Sequence, residues 1–338
     1  MAVLEWQEVM KAMKMTNNHI GDDLFLDRLH SYLESQLPFQ IKSITPIRNH
    51  VFFVETSNLP FILKGFSSYH RLRLQEELTA KLREDGFPHT YSFLNLSKDP
   101  PLYFEKKYYG ILEYISPSKD NFSFSNSRDR EAGTQILETF HSASSRLVPS
   151  FNSKIGSYRL VDRWRLRTAK FLNNISVTKF FVQKEMIDEI LDWADWSLKG
   201  LENELSSIQK GKNVILHGDV AHHNFLRSET DELYIIDFDL ISIGYPSADY
   251  LQYANRILPF LNWSLDELAN LKIMKDYLSD KGFMYALAYP TDIFREWNRT
   301  IRERYYEDPT KVRQVLDLTL GQYLDRQNFV KEIKNSLN

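Results

Sequence analysis

The sequence predicts an α+β protein in two lobes, a small antiparallel-sheet lobe followed by a larger, mainly helical one. Three observations lead there. Between residues 38 and 115, short segments rich in β-branched and aromatic residues flank one charged helical stretch. From residue 130 onward the long segments carry helical periodicity. Only the interval 213–241 interrupts them, with short apolar runs of strand length.

Residues 1–37 read as a helical extension. Asp22 and Asp23 suit a helix start, Leu26, Leu29 and Leu33 follow at helical spacing, and Pro38 ends the run. Residues 38–115 form the sheet lobe. Its strands are expected at 39–47, 50–56 and 61–66, with the turn signal Ser57-Asn58-Leu59-Pro60 between the last two. A helix over 70–85 carries Leu74, Leu78 and Leu82 on one side, and Gly86 and Pro88 stop it. Two further strands are expected at 102–106 and 109–115. The remainder, 116–338, is the helical lobe. It opens with a Ser-rich polar connection to residue 128, and helices are expected over 130–142, 158–174, 182–209, 266–281 and 311–337. Within 213–241 the apolar runs Val214-Ile215-Leu216 and Leu233–Phe238 are separated by the polar turn Ser228–Glu232, and they read as one inserted hairpin.

Composition narrows the function. There are no cysteines, so disulfides, thiolate metal sites and cysteine nucleophiles are excluded. The net charge of −3, without a long basic run, argues against nucleic acid as a partner. No apolar run is long enough for a membrane span, and the N-terminus lacks the basic-then-apolar order of a signal peptide, so a cytoplasmic protein is expected. The patterns G-x-x-x-x-G-K-[ST], G-x-G-x-x-G and G-x-S-x-G do not occur.

The inserted hairpin carries the chemistry. Asp219 stands two residues after His217 and five before Asn224, and Asp237 closes the second apolar run. Phosphoryl transfer from a nucleotide needs an in-line hydroxyl, a carboxylate to accept its proton and divalent cations on the phosphates. Mg²⁺ takes hard oxygen ligands and keeps waters, so one or two carboxylates and an amide oxygen suffice. Taken singly, each of these residues is an ordinary turn residue. Their joint spacing, with apolar runs on both sides and Lys64 on an upstream strand, points to a metal–nucleotide site. The histidines His217, His222 and His223 fit no common zinc spacing.

His217-Gly218-Asp219 with Asn224, followed by Ile236-Asp237-Phe238-Asp239, resembles the aminoglycoside phosphotransferase and choline kinase superfamily, which has a protein-kinase-like fold. The resemblance implies Asp219 as catalytic base, Asn224 and Asp237 as Mg²⁺ ligands, and His217 as a brace for the loop. Phe61-Ile62-Leu63-Lys64 is similar to the family's phosphate-binding strand, which implies Lys64 on the nucleotide with Glu76 or Glu77 as its helix partner, Glu76 favoured. Ile111 to Ile115 resembles the adenine-binding hinge and brings Glu113 and Ile115 into the nucleotide site. Leu137 to Ala143, with His141, and Gly244 to Asp249 match two further family landmarks. The implied cofactors are ATP and Mg²⁺, and the implied partner is a small-molecule acceptor. Tyr158-Arg159-Leu160 and Arg163-Trp164-Arg165-Leu166 are similar to the spore-coat-associated CotS-like branch, which would add spore-coat proteins as partners and the spore coat as a location.

One departure divides the expectations. The family carries a glycine-containing loop over the phosphates, and here Pro46-Ile47-Arg48-Asn49-His50-Val51 has no glycine. Either Arg48, Asn49 and His50 meet the phosphates by side chain, or nucleotide binding is weak. The sequence thus admits an active kinase and a kinase-fold binding or structural protein. Residues 294–306 admit a substrate-facing wall and an amphipathic surface helix equally.

Overall fold

The computed structural model describes residues 19–337, with side chains from residue 24; the expectations for residues 1–18 lie outside them. The described chain divides into two compact units. One reaches to Ser118 and includes Ser228–Tyr234; the other comprises Lys119–Arg227 and the chain from Ile235 onward.

The first unit is built on five strands, β1 (Ile41–Arg48), β2 (Val51–Thr56), β3 (Phe61–Phe66), β4 (Leu102–Phe104) and β5 (Lys107–Glu113), in the antiparallel order β1-β2-β3-β5-β4. Alternation in β2 turns Phe52, Val54 and Thr56 inward. Helix α1 (His19–Gln36) places Leu29 and Leu33, one turn apart, in the same apolar cluster as Phe52, Val54 and Phe61. Burying each of these side chains contributes roughly 1.5–3 kcal/mol relative to exposure. Asp22 and Asp23 lie inside α1 rather than at its start, since the helix is already formed at His19.

Helix α2 (Tyr69–Glu84) is capped by Ser68, whose side chain accepts the Arg71 amide, and Gly86 leaves it at φ +88°. Its buried face is Leu72, Gln75, Leu78, Thr79 and Leu82, and Leu74 is only partly covered. A strict spacing of four drifts around the helix by roughly 40° per step, so mixed three- and four-residue steps describe the buried stripe better.

The β1–β2 connection is a two-residue turn at Asn49-His50, because Arg48 pairs with Val51. His50 holds φ +55°, and its carbonyl accepts the Gly65 amide at 2.8 Å. A Cβ at Gly65 would stand 2.9 Å from the Cβ of His50 and 3.2 Å from the Tyr109 ring. The glycine that gives this turn room therefore sits beneath it, in β3. Gly65→Ala is expected to lower stability by about 1–3 kcal/mol, the usual cost of overpacking, read as a reduced urea midpoint.

The second unit is mainly helical. Its long helices are α3 (Ser127–Phe151), α4 (Leu160–Asn173), α5 (Lys184–Asn203), α6 (Ser247–Ile257), α7 (Thr291–Arg302), α8 (Pro309–Leu320) and α9 (Tyr323–Leu337). Fully buried aromatics fill its core, among them Phe140, Tyr250, Tyr253, Tyr289 and Trp297. Three expected helices are broken, the first of them 182–209, which divides at Glu204 into Lys184–Asn203 and Leu205–Ile208. The stretch 266–281 divides into Leu265–Ala269 and Lys272–Leu278 because Leu271 is extended, and Asp280 then caps a new helix by accepting the Phe283 amide. The stretch 311–337 divides after Leu320, at Gly321.

The interval 213–241 also pairs differently from the expected single hairpin. β6 (Val214–Leu216) pairs with β9 (Ser242–Gly244), whereas β7 (Phe225–Arg227) pairs with β8 (Leu233–Ile235). Three-residue strands leave little periodic signal, so β7 and β9 are invisible to pattern reading. No helix among the described residues is long and apolar enough to cross a membrane.

Candidate active site

The loop from His217 to Asn224 leaves β6 through a glycine in the left-handed region. Gly218 has φ +79°, and a Cβ there would stand 2.2 Å from the Leu240 carbonyl oxygen. The loop is then held from below by one carboxylate. Asp249, on the first turn of α6, accepts hydrogen bonds from the His217 amide (2.8 Å), the Gly218 amide (3.0 Å) and His141 Nε2 (2.9 Å). Asp249 is 1% exposed. Its burial opposes ionisation, but the His141 hydrogen bond, the neighbouring His217 and the Gly218 amide outweigh it and hold the carboxyl below its ordinary range.

His217 is also buried. Its Nδ1 accepts the Asp219 amide at 3.3 Å, so Nε2 carries the proton and donates to the Ile236 carbonyl at 3.0 Å. Gln252, one turn further along α6, clamps the next residues: it accepts the Val220 amide at 2.7 Å and donates to the Gly218 carbonyl at 3.1 Å. His217 is thus a brace of the loop, spending both ring nitrogens on backbone.

Asp219 projects from this scaffold with its side chain 30% exposed. Its Oδ1 accepts from Arg256 Nη2 at 2.7 Å, and its Oδ2 lies 3.3 Å from Asn224 Nδ2. The same amide donates to the Asp219 carbonyl at 2.8 Å. Asn224 is 1% exposed, and because its nitrogen serves Asp219, the amide oxygen is the end left for another ligand. The Ile236 amide donates to the Asn224 carbonyl at 3.0 Å, which brings residue 237 alongside residue 224. Asp237 stands at φ +72°, ψ +73°, a conformation that costs an ordinary residue roughly 1–3 kcal/mol and recurs where a side chain must be aimed. No three His, Asp or Glu side chains converge to hold a metal ion among the described residues.

Arg256, Gln252 and Asp249 lie on one face of α6 at spacings of three and four. That spacing following the Asp237 segment is the signal by which Gln252 and Arg256 could have been found. Burial and the nearby Arg295 depress the Arg256 guanidinium, while Asp219 and Glu296 oppose them. Arg256 also lines a cleft of about 510 Å³ inside the second unit. His222 faces the same cleft, and burial and Arg256 lower its pKa, keeping the imidazole neutral near pH 7. Helix α7 covers residues 294–302 of the stretch 294–306 and is amphipathic. Ile293, Phe294 and Trp297 enter the core, and Arg295 and Glu296 line the cleft.

The remaining residues singled out from sequence lie in the first unit. Lys64 is 5% exposed, and its Nζ lies 3.4 Å from Gln75 Oε1, which also accepts from the Tyr91 hydroxyl. Glu76 is directed elsewhere, to Arg73 at 2.5 Å, because position 76 falls outside the buried face of α2. Glu77 is partly buried on the same helix. Glu113 ends β5; its amide donates to the Ser92 carbonyl and its carboxylate accepts the Ser92 amide at 3.2 Å. Ile115 is half-buried just beyond the strand, and Asn49 is exposed at the β1–β2 turn.

The sequence pattern of the phosphotransferase enzyme family matches residues 43–288, which span both units. Among solved structures, the chain is similar to an aminoglycoside phosphotransferase from Alicyclobacillus acidocaldarius subsp. acidocaldarius, at 17% identity and a TM-score of 0.67, over 88% of this chain and 92% of that one. It is similar to spectinomycin phosphotransferase in complex with ADP and spectinomycin, at 15% identity and 0.57, over 92% and 98%. It is also similar to the choline kinase LicA of Streptococcus pneumoniae, at 15% identity and 0.50, over 93% and 100%. The α+β architecture is thus the two-lobed, kinase-like fold shared by these proteins. The chain belongs to the phosphotransferase enzyme family of the aminoglycoside-phosphotransferase type, a family of small-molecule kinases.

Proposed function

We propose that the protein transfers the γ-phosphoryl group of ATP, with Mg²⁺, to a hydroxyl group of a small molecule. The observation that carries this reading is the Asp219 carboxylate, partly exposed on a loop otherwise bound to the protein through Asp249, Gln252 and His217. A base held this rigidly can orient an acceptor hydroxyl without reorganising. The acceptor oxygen forms its bond to the γ-phosphorus, the bond from that phosphorus to the bridging oxygen of ADP breaks, and the hydroxyl proton passes to Asp219. Asn224 and Asp237 would hold Mg²⁺, which neutralises charge on the phosphates when bound. Lys64 contributes a cation for the phosphates, and Glu113, Ile115 and Asn49 complete the proposed nucleotide contacts. Glu76 belongs to the proposed set as the helix partner of Lys64, and Gln75 of the same helix lies beside Lys64.

A second reading rests on the tight Asn49-His50 turn, which offers no glycine amides to the phosphates. It makes the protein a weak or inactive kinase-fold binding component. In the CotS-like branch such a component would act with spore-coat proteins, whereas the kinase reading places the enzyme in the cytoplasm. A thermal-shift titration separates the two. On the kinase reading, Mg-ATP at about 100 times its dissociation constant adds roughly 2.7 kcal/mol of stability, and omitting Mg²⁺ diminishes the effect. No shift at millimolar Mg-ATP would decide for the second reading.

A further inference from the structure

The cleft beside Asp219 is unsuited to a polycation. Its carboxylates are already matched by arginines. Asp292 is bound through both oxygens by Arg326, at 3.0 and 2.5 Å, and Glu296 is bound by Arg295 at 2.8 Å and Arg299 at 2.6 Å. Asp219 itself is bound by Arg256. A fifth guanidinium, Arg167, lies behind the wall and donates to the backbone and side-chain oxygens of Thr291, which lines the cleft. The charged residues that line the cleft are thus Arg256 and Arg295 with Asp292 and Glu296, and both of those carboxylates already bind guanidiniums.

The unspent donors are on Arg295 and Arg256. Arg295 is 43% exposed on the cleft wall and bonds Glu296 through Nε, which leaves its two terminal nitrogens to the cleft. Arg256 gives one nitrogen, Nη2, to Asp219, and its Nε–H is buried without an acceptor. The two guanidiniums are close enough that Arg295 depresses the pKa of Arg256, and Arg295 acts on Arg167 in the same way. Like charges brought together with unused donors are held at a cost that an anion between them relieves. Around this pair the wall carries Phe124 and the half-exposed Phe260.

We infer that the acceptor carries an anionic group, a carboxylate or a phosphate, beside its hydroxyl, and that Arg295 and Arg256 bind that group. This rests on the kinase reading above. Arg256 links the anion to the chemistry, since the guanidinium that would take the anion also holds Asp219. A hydroxyl one or two carbons from the anion would then lie against the base. The carbon skeleton packs on Phe124 and Phe260.

Four probes with a similar sugar skeleton test it: gluconate, glucose 6-phosphate, neutral glucose and the polycation kanamycin, each titrated calorimetrically into the protein without nucleotide. Gluconate or glucose 6-phosphate is expected to bind, and which of the two binds more tightly tells carboxylate from phosphate. Glucose and kanamycin are expected to bind at least about tenfold more weakly, the loss of one charged hydrogen bond. Arg295→Gln is expected to weaken the anion by about ten- to a hundredfold, with partial rescue in Arg295→Lys and a melting temperature near that of the wild type. Tighter binding of kanamycin or glucose, failure of both anions to bind, or indifference to Arg295→Gln would each overturn the inference. Because no nucleotide is present, these outcomes are independent of the Mg-ATP titration, which alone judges the kinase reading.

Discussion

Asp219→Asn is expected to lower turnover by a factor on the order of 10²–10⁴ while leaving nucleotide binding nearly unchanged. The substitution keeps the shape of the side chain, and its amide oxygen can still accept from Arg256 Nη2, now 2.7 Å from Oδ1. It removes the capacity to take a proton. A role in holding the loop would instead show as a loss of stability, but the loop is held by Asp249, Gln252 and His217, none of which needs the Asp219 carboxylate. The measurement is ADP release with an accepted substrate, paired with a thermal-shift titration of Mg-ATP on the same variant. Turnover within about twofold of the wild type would remove Asp219 from the role of base.

Asp249→Ala is expected to be the most destabilising single change in the second unit, by about 3–5 kcal/mol. It strands three donors at once, His141 Nε2 and the amides of His217 and Gly218, where both histidines are buried. Each stranded buried donor costs roughly 1–3 kcal/mol, and relaxation of the loop keeps the total below the simple sum. The check is the urea midpoint of the variant against the wild type, with Asp249→Asn as companion. Asparagine retains one acceptor oxygen and should recover part of the loss. Stability within about 1 kcal/mol of the wild type for Asp249→Ala would show that the loop does not depend on this carboxylate.

The part of the site legible in the sequence was the part that lies close together along the chain. His217, Asp219, Asn224 and Asp237 fall within 21 residues, and their spacing carries chemical meaning on its own. The supports were less legible because they come from a distance. Arg256 is 37 residues from the carboxylate it binds, and the His141–Asp249 contact joins residues 108 apart. His141 and Asp249 were visible as family landmarks, but nothing in either segment alone states that one carboxylate ties His141 to the loop. The partner of Lys64 illustrates the limit within a single helix. Gln75, Glu76 and Glu77 are adjacent in sequence, and their separation by roughly 100° per residue means only the helix packing selects which one faces the lysine.

The same division holds for the fold. Strands β1 to β3, β5 and helix α2 were readable because their apolar patterns repeat over enough residues to set a period, and Gly86 and Pro88 punctuate them. Strands β7 and β9, at three residues each, have no period to read, and their pairing with β8 and β6 is decided by what the loop between them must hold. By itself the sequence determined the α+β class, the order of its longer elements and the spacing of Asp219, Asn224 and Asp237, all of which are local patterns. Only the tertiary structure decided that Asp219 is bound to Arg256, that one buried carboxylate carries the loop, and that the carboxylates lining the adjoining cleft are bound by guanidiniums. Those are properties of charges brought together across the chain, where burial and distance, rather than spacing in sequence, set the interaction.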